Sequence, residues 1–302
     1  MPYLLLALAA CFWGGNYVIG RLLVSQVDPI VLSALRWWVT AILLMILYFR
    51  QVQQQWSAIK QAKGIVFFLA LCGQVLFPLT LYIGLQYTSS LNAAIYLSTT
   101  PAMVLLINRF IFHERISTGN IAGVILSTCG VIWLILQGNV TNGAILHHLN
   151  QGDLWTMGSA MSWAAYCAFL RLKPKAVVGN GFVAVCASVG AIMLLPVLTV
   201  NMLQAAKLDL APYLTPNFLL GLAYLVIFPS WLSYLLWNKG IAAIGATRGE
   251  VFSHLIPLSG GLFSILFLHS PLYMYHLISG LAIVCGIALC SRSRREIVSQ
   301  AP

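Results

Sequence analysis

The fold is decided by 84–117, GLQYTSSLNAAIYLSTTPAMVLLINRFIFHERIS, because its plan occurs again at 240–271, GIAAIGATRGEVFSHLIPLSGGLFSILFLHSP. Both copies begin at a glycine, pass through a short turn of small residues and continue as an apolar run that contains one proline. Pro101 corresponds to Pro257, and an apolar-histidine step follows each proline at the same offset. The repetition predicts a duplicated membrane helix.

The composition indicates a membrane protein. The chain is 60% hydrophobic and 7% charged, with a mean hydropathy of +0.90, whereas an ordinary globular protein has roughly a quarter charged residues. Its 302 residues suit about ten helices of ~20 residues with short joins. The seven cysteines include no CxxC pair, so neither a disulfide framework nor a zinc site is indicated.

The apolar runs predict ten membrane spans, at about 3–24, 30–49, 64–85, 90–112, 118–137, 152–171, 180–200, 217–238, 247–268 and 272–291. With the N-terminus placed in the cytoplasm, thirteen of the 16 Lys and Arg residues fall on the inner side, and only Arg21 and Lys207 on the outer side. The positive-inside rule therefore predicts that both termini are cytoplasmic. This topology accounts for the net charge of +10, and no basic surface indicates nucleic-acid binding.

Five spans in each half imply that the second half enters the membrane inverted. The charges agree, because the join after the fourth span is basic and the equivalent join after the ninth has no Lys or Arg. We therefore predict an all-α membrane protein of two inverted five-helix repeats. Its parts are a first repeat at 1–137, an outer linker at 138–151, a second repeat at 152–291 and a basic cytoplasmic tail at 292–302.

Polar side chains recur at helical spacing inside the spans, where they must face protein or a water-filled cavity. They are Gln74 and Tyr82 in the third span, on one face with Pro78, together with Ser230, Tyr234 and Asn238 in the eighth, and Asn92, Tyr96 and Thr99 in the fourth. These stripes indicate either the walls of a central cavity or hydrogen bonds that join neighbouring helices.

The ninth span contains the most suggestive pair, Glu250 and His254, four residues apart. A carboxylate and an imidazole one turn apart are suited to bind a cation or pass a proton. The competing interpretation is a capping box that starts at Thr247, in which Glu250 only closes the first helical turn. His254 is suited equally to a ligand contact and to helix packing.

Three further features of the spans allow two interpretations each. Arg36, inside the second span, is expected to reach outward to water or to pair with Asp28. Trp13 and Trp163 lie too deep for an interfacial belt, which leaves a cavity wall or simple packing. The two prolines indicate either broken helices around a midplane site or plain kinks.

The order and spacing of several motifs resemble the drug/metabolite transporter superfamily, EamA type, over nearly the whole chain. The motifs are FWGGNYVIGR, Leu35-Arg36-Trp37, GLQYTSSLNAAIYLSTTPAMVLL, Glu114-Arg115-Ile116-Ser117 and GVILSTCGVIWLI. The resemblance implies a basket of ten helices around a central cavity, lined chiefly by helices 1, 3, 4, 6, 8 and 9. It also implies alternating access and export of amino acids or other small metabolites.

This sequence departs from the family pattern at two places. Ser270 stands where the first repeat has Glu114, so the acidic exit is not duplicated. Thr100 and Ile256 precede the two prolines, where family members often carry a carboxylate in the second copy.

We therefore expect a secondary transporter of the bacterial inner membrane that moves a small organic metabolite outward, without a cofactor or an enzymatic activity. Its partners are the substrate, the bilayer and, if Glu250 and His254 couple transport, protons; the chain is a monomer or a homodimer. The candidate cavity residues are Trp13, Asn16, Gln74, Tyr82, Asn92, Tyr96, Trp163, Tyr166, Tyr234, Asn238, Glu250 and His254. The alternatives are a membrane scaffold, an intramembrane enzyme, a channel, or a phosphate or nucleotide-sugar exchanger.

Overall fold

The computed structural model describes residues 1–88, 93, 96–139, 150–177, 179–204, 210–268 and 273–292, which form helices and the turns between them and contain no β-strand. The helices are α1 (Pro2–Val24), α2 (Pro29–Gln61), α3 (Lys63–Tyr87), α4 (Thr100–Phe110), α5 (Thr118–Ile135), α6 (Gln151–Phe169), α7 (Gly179–Gln204), α8 (Pro216–Ile244), α9 (246–268) and α10 (Met274–Arg292). α2 continues beyond its predicted end at 49, past a kink at Tyr48.

The starts of several helices follow from capping side chains. Asp28 precedes Pro29, and its Oδ1 accepts hydrogen bonds from the backbone N–H groups of Ile30 (2.8 Å) and Val31 (3.0 Å). Asn150 and Asp153 form a reciprocal capping box at α6. Such caps satisfy backbone donors that the first helical turn leaves without partners. The carboxylates of Asp28 and Asp153 are thereby engaged at helix ends.

α3 and α8 each contain a stretch of π-helix, Leu71–Leu76 and Val226–Leu232. In α8, Pro229 has no N–H to donate to the carbonyl of Leu225. The Ser230 hydroxyl donates to that carbonyl instead, at 2.7 Å. Irregular windings of this kind occur frequently at functional sites.

The backbone carbonyls of both π stretches accept hydrogen bonds from other helices. Trp13 Nε1 on α1 donates to the Pro229 carbonyl at 2.9 Å. The Tyr234 hydroxyl on α8 donates to the carbonyl of Gly73 on α3. The irregular stretches of α3 and α8 are therefore fixed by aromatic residues that lie between the helices.

An irregular turn precedes each proline of the repeated stretch. α9 runs regularly over Ala246–Gly249, tightens to a 3₁₀ turn over Glu250–His254 and becomes α-helical again over Leu255–Leu268, which includes Pro257. In the first copy, α4 begins at Thr100 after a turn at Thr99, with Pro101 in its first turn.

The helices form a bundle in which α2 packs on α7, α5 on α10, α3 on α6, and α1 on both α8 and α9. α4 also packs on α6. α5 and α10 approach each other closely, because a Cβ on Gly123 would lie 2.6 Å from the Gly286 carbonyl oxygen. Small residues at such crossings allow membrane helices to meet backbone to backbone.

Seven described helices, α1, α2, α3, α5, α7, α8 and α10, are long and apolar enough to cross a membrane. α4, α6 and α9 are not among them. α9 contains the 3₁₀ turn, and only 11 residues form α4. α6 carries hydroxyl side chains on its buried face, where Ser159 donates to the Phe77 carbonyl at 2.8 Å and Ser162 to the Cys72 carbonyl at 2.7 Å. The ten-span arrangement stays a prediction.

Candidate functional site

A cluster of five aromatic residues from α1, α6 and α8 occupies the centre of the bundle. They are Trp13, Trp163, Tyr166, Tyr234 and Trp237, and each side chain is at most 3% exposed. We call these five residues the central aromatic cluster. Trp13 meets Trp163 edge to face, with ring centroids 4.9 Å apart. Trp163 stacks on Tyr166 at 5.0 Å and contacts Tyr234 at 5.7 Å. The cluster joins the two predicted halves of the chain.

Glu250 is fully buried against this cluster. Trp163 Nε1 donates to its Oε1 at 3.1 Å, and the Cys167 thiol and the Ser253 hydroxyl lie beside the carboxylate. Its other oxygen, Oε2, has no hydrogen-bond partner among the described residues. The capping-box interpretation is wrong, because the helix begins earlier, after Gly245, without a side-chain cap. Glu250 instead presents a buried acceptor to the centre of the molecule.

His254 does not share a face with Glu250. The 3₁₀ turn between them advances by about 120° per residue instead of about 100°, so residues four apart diverge by roughly 120° rather than roughly 40°. His254 Nε2 lies 2.8 Å from the carbonyl oxygen of Ser98, beside α4, whereas Glu250 contacts α6. Nδ1 of the buried imidazole has no partner in the described part of the chain. The prediction of one carboxylate-imidazole face is therefore wrong.

Arg36 is fully buried between α1, α2, α3 and α8. Its Nε donates to Ser230 Oγ at 2.5 Å, and its Nη1 donates to Asn16 Oδ1 at 3.1 Å and to the Tyr82 hydroxyl at 2.7 Å. The guanidinium also lies 5.2 Å from the centre of the Trp37 ring. The expectation that Arg36 reaches water or pairs with Asp28 is wrong, because the side chain turns inward and Asp28 caps α2.

The network around Arg36 orders two predicted site residues. The Tyr82 hydroxyl donates to Asn16 Oδ1 at 3.0 Å while it accepts from Arg36. Asn16 Nδ2 has no partner among the residues that the structure describes. In the central aromatic cluster, the Tyr166 hydroxyl donates to Asn238 Oδ1 at 2.8 Å.

Three predicted cavity residues lie apart from this centre or outside the described chain. The Gln74 amide faces the carbonyls of Leu69 and Ala70 on its own helix, 3.1 and 3.3 Å away. Tyr96 is only half-buried. Asn92 falls outside the described residues.

A second network joins the ends of α4, α6 and α9 that the charge pattern assigns to the inner side. The Thr247 hydroxyl donates to Glu114 Oε1 at 2.8 Å and accepts from Asn108 Nδ2 at 2.7 Å. Glu114 Oε2 forms an ion pair with Arg171 Nη2 at 3.1 Å. At the opposite end, Arg21 donates to the carbonyls of Leu85 and Thr88 on α3. We call Glu114, Arg171 and Thr247 the inner network.

The sequence interpretation missed three members of the site, Arg36, Trp37 and Trp237. Leu35-Arg36-Trp37 was available as a motif, and its charge inside an apolar span was the signal. In the described part of the chain, no group of three His, Cys, Asp or Glu side chains is placed to hold a metal ion.

Comparisons with known proteins agree with this architecture. The model of the EamA-like transporter family matches residues 1–136 and 150–292. Two proteins of Bacillus subtilis (strain 168) are similar over their length: the uncharacterized transporter YetK is 25% identical, covering 94% of this chain and 84% of its own, and the uncharacterized transporter YyaM is 24% identical, covering 96% and 93%. One crystal structure superposes with a TM-score of 0.72 at 17% identity, covering 96% of each chain.

Proposed function

Because the chain belongs to the EamA-like transporter family, we propose that it is a secondary active transporter that exports a small organic metabolite, an amino acid or a related compound, by alternating access. One observation carries this proposal. A carboxylate, Glu250, lies buried at the centre of a membrane bundle with one oxygen free of partners among the described residues. Ionisable groups in such places are rare and typical of substrate and ion pathways.

The proposal includes two inverted halves, with a first repeat at 1–137 and a second at 152–291. The helix packing supports this symmetry. Under it, each helix is equivalent to the helix five places away along the chain, so the α3–α6 contact is equivalent to the α8–α1 contact and the α4–α6 contact to the α9–α1 contact. All four contacts are present. α2–α7 and α5–α10 are pairs of equivalent helices. The π stretches, Leu71–Leu76 and Val226–Leu232, also fall in equivalent helices.

Alternating access requires one closure on each side of the central aromatic cluster. The inner network is suited to the inner closure, because it joins α4, α6 and α9 through polar contacts that water can replace. Arg21 and the end of α3 are suited to the outer closure. We propose a bacterial inner membrane as its location, with both termini in the cytoplasm, and the distribution of basic residues supports this orientation.

Glu250 is the residue that we propose for coupling to protons or for binding a cationic group. Trp163 holds Oε1, so the free Oε2 is the atom that would receive a proton or an ammonium group. His254 lies on a different face and is not needed for this step.

The test is a thermal-shift screen of metabolites against the purified protein, followed by counterflow of each hit in proteoliposomes. We expect saturable counterflow of at least one compound. A scaffold or an intramembrane enzyme would show no counterflow, and a channel would show flux without saturation or exchange. Either result would contradict the proposal.

A further inference from the structure

The charge of Arg36 has no acidic counterpart in the described part of the chain. The sequence contains only 6 acidic residues. Four of them have other contacts: Asp28 and Asp153 cap helices, Glu114 pairs with Arg171, and Glu250 accepts from Trp163. The other two, Asp209 and Glu296, lie outside the described residues.

A fully buried guanidinium without an anion is costly in a membrane bundle. Taking a charge out of water carries a large free-energy cost, and neutral hydrogen bonds offset this cost only in part. The acceptors around Arg36 are all neutral, namely Ser230, Asn16 and Tyr82. They use Nε and Nη1, whereas Nη2 has no partner among the described residues.

A second free donor belongs to Asn16, whose side chain is hydrogen-bonded to Arg36. Asn16 Oδ1 accepts from both Arg36 and Tyr82, which fixes the amide and leaves Nδ2 without a described partner. Arg36 Nη2 and Asn16 Nδ2 are thus two N–H donors, one of them charged, in a single buried network. Two oxygens of one planar carboxylate suit such donors.

We propose that Arg36 and Asn16 form the subsite for the carboxylate of the transported compound, with Arg36 Nη2 and Asn16 Nδ2 as its donors. This inference rests on the proposed transport function and narrows its substrate to organic carboxylates. A dianionic phosphate fits less well, because Arg36 is the one cation of the network.

The subsite adjoins the central aromatic cluster. Trp37 lies under the guanidinium and its ring centroid is 5.5 Å from that of Tyr234, which in turn contacts Trp163. A carboxylate held at Arg36 therefore places the organic part of the compound against aromatic rings, and Glu250 lies beyond them at Trp163.

The first test changes the ligand and leaves the protein intact. Purified full-length wild-type protein is screened by thermal shift with the common amino acids and simple monocarboxylates, each beside its carboxamide, and with chloride and inorganic phosphate. We expect at least one carboxylate to stabilise the protein and its carboxamide to bind about 10- to 100-fold more weakly. A screen in which no carboxylate exceeds its carboxamide overturns the inference, as does stabilisation by chloride or phosphate that equals the best carboxylate.

The second test changes the protein. Arg36→Lys and Arg36→Gln should weaken binding of the best carboxylate by about 10-fold or more and leave binding of its carboxamide unchanged. Arg50→Gln, at an exposed arginine of the same helix, is the matched control and should bind both compounds as the wild type does. Unchanged carboxylate affinity in a folded Arg36 variant overturns the inference, and if neither variant folds, the ligand comparison decides.

Transport is measured separately so that the two proposals fail differently. Arg36-dependent binding without counterflow would contradict the transport function and leave the subsite intact. Counterflow that does not distinguish the carboxylate from its carboxamide would contradict the subsite and leave the transport function intact.

Discussion

Glu250→Gln tests the proposed coupling role of the central carboxylate. In the wild-type protein, Trp163 Nε1 donates to Glu250 Oε1 at 3.1 Å. The glutamine amide keeps an oxygen that can accept this hydrogen bond, but it cannot gain and lose a proton as a carboxylate does. Among the described acidic residues, Glu250 is the one that contacts the central aromatic cluster. One carboxylate carries one proton per cycle.

The magnitude follows from that stoichiometry. A difference of one pH unit is worth about 1.4 kcal/mol per proton, which supports about tenfold accumulation of a substrate coupled to one proton. We expect proteoliposomes with the wild-type protein, held at zero membrane potential, to approach this ratio for a substrate without net charge. In proteoliposomes with Glu250→Gln, the substrate concentrations inside and outside should remain nearly equal, while counterflow without a pH gradient continues.

The matched control is Glu114→Gln, which alters a partly exposed carboxylate of the inner network. Accumulation at equilibrium depends on coupling and not on rate, so this variant should reach the wild-type ratio. Wild-type accumulation by Glu250→Gln would refute the coupling role. Loss of counterflow as well would assign Glu250 to substrate binding instead of coupling.

Two further predictions concern packing and gating. Gly123→Ala should lower the melting temperature by an amount that corresponds to about 1–3 kcal/mol, because the new Cβ would lie 2.6 Å from the Gly286 carbonyl oxygen. Gly158→Ala is the control and should leave the melting temperature unchanged, because a Cβ there meets no atom within 4 Å. Equal melting temperatures for the two variants would contradict this packing. Glu114→Gln removes the 3.1 Å ion pair with Arg171, and we expect stability to change by less than about 1 kcal/mol while initial exchange rates rise; slower exchange would argue against an inner closure.

The sequence predicted the features of the fold that depend on local chemistry. Proline lacks a backbone donor, so Pro101 and Pro257 indicated broken or kinked helices, and the structure has an irregular turn before each of them. Membership of the EamA-like family, inferred from the order of motifs, is confirmed by the match to 1–136 and 150–292. Trp13 and Trp163 were recognised as unusually deep, and the structure brings their rings together.

The features that the sequence did not predict depend on winding and rotation. Glu250 and His254 were placed on one face by assuming an α-helix, but the 3₁₀ turn separates them. The sequence showed that Arg36 lies inside the second span, but the position of a residue along a helix does not tell whether its side chain faces lipid, water or protein. Only the packing of α1, α3 and α8 around α2 shows that Arg36 faces inward.

Alternating access requires that the buried centre become accessible from each side of the membrane in turn. Cys167, fully buried beside Glu250, is a native reporter once the other six cysteines are replaced. The decisive measurement is labelling of Cys167 by a membrane-impermeant thiol reagent in right-side-out and inside-out vesicles, with and without substrate. We predict labelling from either side, with excess substrate on one side changing the rate on the other. Labelling from one side only, or rates that substrate does not change, would contradict alternating access.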